Sequence, residues 1–442
     1  MRIVACGDTL FSSRNLLERL PEELVRLFQE ADGVFANAEF CCPRQTTAPM
    51  PRRFITAVRP DVLDEFAALN IKLLSFANNH TGDFGMQGVI DTLEEATVRK
   101  LIPGGIGRSL DEARAAHFID TPKGRIGFVA AGSTRATEFA ASDPGKGVPA
   151  RAGLNPLRWG RSYVLPEKEF NELKRIDELL GTAASRREVA AVEVMKPAPD
   201  DRFAFGSVFE GSLQIIRGAE ADVCYHMDER DREAILANVR DAANRSEIAL
   251  VSLHAHEGTT DNWYSPRAAS FVEDFAHQAI DAGATAVLGH GPHMLRGVEI
   301  YKGKPIFYSL GSLLMEFVTG NNINTPEMYA AYGFGRDSLP SDLHMSRVAD
   351  ENGNKIGFYA DQRFSRSCVA VLDIEDGRVE ISLVPIDLDL NRERPSQRGF
   401  PQIASAQLGQ EIANDIAALS EYYGTRIEFD ADSNLIRIQT AV

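Results

Sequence analysis

Cysteine is scarce in this chain, and its five copies follow no pairing rule. Cys6, Cys41, Cys42, Cys224 and Cys368 are odd in number, irregularly spaced and free of any CxxC pair. That argues against a disulfide framework and against a cysteine-built zinc module. Adjacent Cys41 and Cys42 could ligate a metal or form a strained vicinal disulfide, both rare arrangements; a reduced, cytoplasmic chain is the expectation. Long apolar runs are also missing. The first strand begins at Met1, with no basic leader and no 18-residue apolar stretch before it, so neither signal peptide nor membrane anchor is expected. Positive charge is in deficit: 47 Lys and Arg face 63 Asp and Glu, for a formal net charge of -16. Such a surface repels nucleic acid. The G-x-S-x-G elbow is absent, so a nucleophilic serine in Tyr308-Ser309-Leu310-Gly311-Ser312 is not expected. No internal repeat or low-complexity segment is visible.

What is present is a recurring local pattern. Residues 2–8, 34–39, 73–80, 250–254 and 286–290 each run as a short apolar strand into a polar tip, the last followed by Gly291-Pro292-His293. Parallel strands bring their carboxyl ends to one sheet edge, where sites form. Five tips carrying Asp, Glu, Asn and His would converge there. Such mixed donors suit one or two divalent ions, Mn, Zn or Fe, with Ca possible where oxygen ligands dominate.

The rest of the chain supports an α/β core. Helical apolar spacing over 15–20, 21–30, 60–70 and 87–100 alternates with strands. A hairpin over 116–120 and 125–130 turns at Pro122-Lys123-Gly124. A helix over 228–243 follows, with Asp228 as N-cap and Asp231 in its acidic first turn. Strands over 247–253 and 284–288 enclose a helix over 266–282. Further hairpins are expected over 298–301 with 305–309 and over 368–374 with 379–385, the latter around Asp376-Gly377. Two stretches break the rhythm and read as insertions, about 134–225 and 318–365. The first holds a Pro/Gly cluster, a polar helix over 166–180 and a loop with Pro197 and Pro199; it suggests a lid or substrate wall. The expected organisation is one domain over 1–390 carrying both insertions, with a C-terminal helix (404–422) and hairpin within 391–442 packed on the core.

Each polar tip has a bland reading beside the chemical one. Gly7 would allow a tight turn that exposes Asp8, which could bind metal or cap the next helix. Glu39 could be a ligand or a surface turn residue. Asn78-Asn79-His80-x-x-Asp83-x-Gly85 is more specific, because two amides and an imidazole are expensive to bury without partners. Asn79 can reach a metal, His80 can act as acid or base, and Asp83 can orient it; the alternative is an Asx-turn. In His254-x-His256-Glu257, alternation points both imidazoles to one side. One reads as a ligand, the other as supporting or substrate-facing, and a satisfied core His is the alternative. Gly289-His290-Gly291-Pro292-His293 is the sharpest element, its small residues letting two imidazoles approach one centre. His117 and His277 read as structural or solvated; His226 and His344 are weak pocket candidates.

These elements, in this order, resemble the bacterial CapA family of capsule and poly-γ-glutamate synthesis proteins, itself similar to the calcineurin-like metallophosphoesterases. The matching residues are Gly7-Asp8, Asn37-x-Glu39, Ala77-Asn78-Asn79-His80 with Asp83 and Gly85, the strand ending at His254, Gly289-His290-x-Pro292-His293, and Gly297-Val298-Glu299-x-Tyr301 through Gly311. The resemblance implies a four-layer α/β/β/α sandwich with a two-metal centre. Asp8, Glu39, Asn79, His254, His290 and His293 would be ligands, with Glu39 a candidate bridge. His80 would match the residue that protonates a leaving group; Asp8, His293 and Asp83 join it as catalytic candidates. Asn78, His256 and Glu257 would support the site or touch substrate. The chain departs from the wider fold at Asp8-Thr9-Leu10, which lacks the Asp-x-His histidine, and from the family at His254-Ala255-His256-Glu257-Gly258.

The leading expectation is a soluble metal-dependent enzyme hydrolysing a peptide-like or γ-glutamyl substrate. Alternatives are a metal-dependent peptide epimerase exchanging a Cα proton, a phosphoesterase, and a non-catalytic polymer-assembly factor. Arg135, Arg151, Arg158, Arg161, Arg363 and Arg366 lie in or beside the insertions and could clamp a carboxylate or sit solvated at the surface. Oligomeric state carries no sequence signal.

Overall fold

Strands that are apolar on both faces need cover on both faces. Every residue from Ile3 to Leu10 is buried, as is every residue of Gly33–Ala38, Ile248–His254 and Ala286–His290. The computed structural model describes all residues except 195–197, 208, 210, 317–321, 336, 376 and 440–442. It is mixed α/β, with several sheets.

The largest sheet runs in the order Arg426–Asp430, Leu435–Gln439, Arg378–Asp387, Arg366–Glu375, Arg2–Leu10, Gly33–Ala38, Leu73–Ser75, Ile102–Gly104. A six-stranded sheet orders Val298–Tyr301, Lys304–Phe307, Ala286–His290, Ile248–His254, Gly124–Gly132, His117–Thr121. In each sheet the central strands are parallel. One core joins the two sheets: Ile3, Phe35 and Leu73 of the first meet Phe128, Leu250 and Leu288 of the second. A second core lies between the first sheet and the helices Glu22–Glu30, Leu63–Ala68 and Gly85–Val98, through Val4, Val34, Leu24, Phe28, Phe66 and Leu93. A third lies between the second sheet and the helices Glu229–Arg245 and Ser270–Asp281, through Val251, Val287, Val239 and Phe275. Each buried Phe or Leu in these layers contributes about 1.5–3 kcal/mol. The helix Ala406–Ser420 closes the inter-sheet core with Ile412 and Ile416.

Several local readings needed correction. Gly7 makes no turn, because the first strand continues to Leu10. A Cβ there would stand 1.9 Å from the Gly311 carbonyl oxygen, so Gly7 is required for close backbone approach. The helix expected from 266 begins at Ser270, and the strand expected over 284–288 runs two residues later, Ala286–His290. Segment 134–225 holds more than a polar helix: Arg202–Phe205, Leu213–Arg217, Trp159–Leu165 and Asp222–Met227 form a four-stranded sheet. Trp159–Leu165 pairs with Leu213–Arg217 and Asp222–Met227 over long separations, which local patterning does not reveal. Pro197, Asp376 and residues 318–321 of the second stretch lie outside the described residues.

The six arginines proposed as carboxylate clamps all have partners within the chain. Arg158 and Arg161 bind Asp231 and Asp261, each at 2.6 Å. Arg135 meets Glu138 at 3.3 Å, and Arg151 donates to the Ala140 carbonyl at 2.9 Å. Arg363 pairs with Asp361 at 2.7 Å, and Arg366 with Glu411 and Asp415. Asp231 accordingly does more than grace a first turn: it is fully buried between Arg114 and Arg158. His226 is exposed on the small sheet. No helix among the described residues is long and apolar enough to cross a membrane, and the five cysteines are free.

Candidate metal centre

The parallel strands of both sheets deliver their polar tips to a common rim. Asp8 pairs in register with Asn37, and His254 with His290. Asp8 Oδ1 accepts from Asn37 Nδ2 at 2.8 Å, and Asp8 Oδ2 accepts from the Gly291 N–H at 3.1 Å. His293 Nδ1 lies 3.2 Å from Asp8 Oδ2 and 3.6 Å from Glu39 Oε2. His290 Nδ1 lies 3.6 Å from Asp8 Oδ1. Glu39 Oε1 stands 4.0 Å from His254 Nε2 and 3.9 Å from His256 Nε2. His293 has φ 59, a left-handed conformation that is uncommon outside glycine and clusters at functional sites.

Two groups emerge, each with ligand atoms within 4.8 Å of one another: Asp8, His254 and His290, and Glu39, His256 and His293. All six residues are buried. His256, expected in a supporting or substrate-facing role, stands in the second group. Asn79 lies at the same rim with its Oδ1 buried and unbonded.

Burial alone would raise Asp8, but the hydrogen bond with His293, the nearby imidazoles and the Asn37 amide outweigh it and hold it at about 2. Burial, then the charge of Asp8, pushes the Glu39 carboxyl well above the usual range. Burial and then neighbouring imidazoles hold His254 and His256 well below the ordinary histidine value, and burial takes His290 down to about 4. Neutral imidazoles are the form that ligates metal. Both Glu39 oxygens, Asn79 Oδ1, His254 Nε2 and both His256 nitrogens are buried without a hydrogen-bond partner. Such a cluster is costly in apolar surroundings and fits divalent cations. These residues therefore suit one or two metal ions.

The remaining predicted residues support this rim. Asn78 donates to Asn37 Oδ1 at 3.2 Å and to the Ala38 carbonyl at 2.8 Å, and accepts from the His80 N–H at 3.1 Å. It ties two strand tips together. His80 Nδ1 meets Asp83 Oδ2 at 2.7 Å, while its Nε2 lies 3.2 Å from Thr56 Oγ1. Asp83 is held in turn by Arg52 and by the Thr56 N–H at 2.7 Å. Glu257 lies outside both groups and accepts from Ser133 at 2.6 Å and Thr134 at 3.1 Å. Burial raises its pKa.

Sequence reasoning missed three supports. Ser252 Oγ holds His290 Nε2 at 2.8 Å, fixing which nitrogen faces Asp8. Arg52 secures Asp83. Arg296, 1% exposed, donates to the carbonyls of Ala255, His256, Glu257, Trp263 and Ser265 at 2.8–3.3 Å. Arg296 shapes the loop that carries His256. No local signal marks these residues, apart from the cost of an arginine in an otherwise apolar stretch.

Fold and site together define an α/β protein with a buried carboxylate–imidazole cluster at converging strand tips. The chain belongs to the bacterial capsule synthesis protein PGA_cap family, whose model matches residues 2–316. That span includes every residue of the cluster. Two proteins of Sinorhizobium fredii (strain NBRC 101917 / NGR234), both described as uncharacterized, are 31% identical over 453 residues, covering 99% of this chain and 93% of theirs. A Mycobacterium tuberculosis (strain ATCC 25618 / H37Rv) protein, named "Probable polyglutamine synthesis accessory protein", is 27% identical, covering 65% of this chain and 53% of its own. The PGA biosynthesis protein CapA of Bacillus subtilis (strain 168) is 24% identical, covering 56% of this chain and 43% of its own.

Proposed function

We propose that this chain is a metal-dependent enzyme that hydrolyses an amide bond in a peptide-like or γ-glutamyl substrate. The observation that carries this reading is Glu39: a buried carboxylate, near Asp8, with both oxygens unbonded. A structural carboxylate in that position would be strongly destabilising; one that receives cations would not. Two relatives are named for polyglutamine synthesis and PGA biosynthesis, which supports a peptide-like polymer as the substrate class.

Asp8, His254 and His290 would hold one ion, and Glu39, His256 and His293 another, with Asn79 Oδ1 available to either. Bound divalent ions supply carbonyl polarisation and a water acidic enough to attack near neutral pH. The chain's own residues do the rest. Asn37 and the Gly291 N–H orient Asp8. Asp83 fixes His80 through Nδ1, leaving Nε2 beside Thr56 as the position from which a proton reaches a leaving amine. Arg52 and the Thr56 N–H hold the Asp83 carboxylate in alignment with His80.

The test is turnover of γ-glutamyl dipeptides and poly-γ-glutamate by protein loaded with Mn, Zn, Fe or Ca. Release of glutamate or short peptides, lost in His80→Ala, is the expected result. Deuterium uptake at Cα in heavy water without cleavage would replace hydrolysis by epimerisation. Turnover of nitrophenyl phosphate alone would replace it by phosphoester cleavage. Inertness with every metal would leave the assembly-factor reading.

A further inference from the structure

Four histidines stand in the two ligand groups, and three of them have a ring nitrogen tied to a neighbour. His290 is held by Ser252 at 2.8 Å, His293 lies 3.2 Å from Asp8, and His254 lies 3.0 Å from His290. His256 is the exception: neither ring nitrogen has a hydrogen-bond partner among the described residues. A ligating histidine is ordinarily oriented through its second nitrogen. The His256 ring must therefore be oriented by packing. Of the rings packed on it, Trp263 is nearest at 4.6 Å, ahead of His254 at 5.1 Å and His293 at 5.6 Å. His256 is buried and Trp263 partly exposed, so the indole covers the imidazole.

Trp263 lies on a loop that would not hold its shape alone. Thr260 has φ 56 and ψ 32, and Asp261 has φ 59. Two adjacent left-handed residues without glycine, one of them β-branched, persist only where the surroundings over-determine them. Those surroundings are the four-stranded sheet of segment 134–225. Arg161 Nη1 donates to Asp261 Oδ1 at 2.6 Å, and the Tyr163 hydroxyl donates to Oδ2 at 2.9 Å. The Tyr225 hydroxyl accepts from the Asp261 N–H at 2.7 Å and donates to the Gly258 carbonyl at 3.1 Å. Arg161 and Tyr163 alternate onto one face of their strand, and Tyr225 pairs directly with Arg161 on the next. One face of the sheet thus grips the loop at two points. Across the loop, Arg296 Nη2 donates to the carbonyls of both His256, at 2.8 Å, and Trp263, at 3.1 Å. The two backbones are tied through one nitrogen.

We propose that Asp261 is a positioning residue for the second ligand group: through it the insertion's sheet holds Trp263 on His256 and fixes the imidazole beside Glu39 and His293. This rests on the metal-binding part of the function proposed above. It gives segment 134–225 a task other than covering substrate. A lid must be free to lift, whereas this sheet is joined to the loop by four hydrogen bonds, two of them to a carboxylate. The group of Asp8, His254 and His290 lies outside the loop and does not depend on the clamp.

The test is calorimetric titration of the full chain with Mn and, in parallel, with Zn. The wild-type chain should take up two ions. Asp261→Gly removes the carboxylate yet suits the left-handed backbone, so it opens the clamp without adding strain. It should weaken one ion roughly tenfold or more, the range for a lost supporting contact, and leave the other within about twofold. Tyr163→Phe combined with Tyr225→Phe removes two hydroxyls from the sheet, keeps both rings and leaves the loop sequence intact. It should weaken the same ion, and it decides the matter should Asp261→Gly fail to fold. Asp261→Asn keeps an acceptor for Tyr163 and tolerates the left-handed region, so its affinity should fall between those of wild type and Asp261→Gly. Trp159 and Trp263 are the two tryptophans of the chain. In a Trp159→Phe background, Asp261→Gly should shift Trp263 emission to longer wavelength in the metal-free protein. A merely structural role would lower the melting temperature and move neither readout. Unchanged affinities in Asp261→Gly or in the tyrosine pair, equal weakening of both ions, or unshifted Trp263 emission would overturn the inference. Fewer than two ions bound by the wild-type chain, with either metal, would remove the second ligand group and the inference with it. Two ions bound and nothing hydrolysed would defeat the proposed reaction and leave the positioning role standing.

Discussion

His254 and His290 occupy paired positions on adjacent parallel strands, and their Nδ1 atoms are 3.0 Å apart. At that separation one ring can donate and the other accept, but both cannot be protonated. Burial keeps both neutral, and Ser252 holds the far nitrogen of His290. The strand register thus places an imidazole pair beside Asp8 in the ligand-competent form.

Metal loading should stabilise the fold, because the unbonded atoms around Glu39 gain partners. At metal concentrations about 100 times Kd the gain is about 2.7 kcal/mol. Thermal melts with Mn or Zn against chelator-treated protein check this; coincident melts would remove the metal centre from consideration.

Glu39→Gln should act in opposite directions with and without metal. It removes a buried carboxylate near Asp8, so the metal-free protein should gain about 1–3 kcal/mol. The metal-induced rise in Tm should shrink. A variant that loses stability in chelator would contradict the account of Glu39.

Stability of the metal-free protein should fall with acid in a defined window. His290 and His344 are held at about 4 in the fold, against about 6.5 when unfolded. The unfolded chain therefore binds more protons between these values. The share of stability that these two imidazoles contribute is full above about pH 6.5 and drains as pH falls toward about 4. His344→Leu should remove a share on the order of 3 kcal/mol at the acid end. Urea midpoints across this range, in both proteins, measure it.

Arg296→Lys should cost about 3 kcal/mol or more, since a lysine cannot reach the five carbonyls that the guanidinium bridges. Its effect on metal should be selective. The group containing His256 should weaken, while Asp8, His254 and His290 keep theirs. Metal-to-protein stoichiometry and denaturant midpoints report the two effects separately.

His80→Ala should lower kcat about 10²–10⁴-fold, the range for loss of a positioned acid or base. Asp83→Asn should lower it less. Neither should alter metal content, because His80 and Asp83 belong to neither ligand group. A fall in bound metal would reassign His80 to the ligand shell.

Much of the fold was legible because its signals are local. Apolar runs such as residues 2–8 and 248–253 mark strands buried on both faces, and Asp228 caps its helix as its position suggested, accepting from the N–H groups of Arg230 and Asp231. The small sheet of segment 134–225 was not legible. Its strands are short and largely half exposed, and a central strand, Trp159–Leu165, pairs with Leu213–Arg217 and Asp222–Met227 across about fifty residues or more, which a local pattern does not announce.

The same division runs through the site. Sequence alone determined the inventory of donors, because a strand ending in Asp, Asn or His carries its chemistry at its own tip whatever surrounds it. Only the tertiary structure decided the grouping. Which carboxylate meets which imidazole depends on the register between strands and on how two sheets pack. His256 joined Glu39, and Ser252 and Arg296 became supports, through contacts spanning tens to hundreds of residues, which no local pattern encodes.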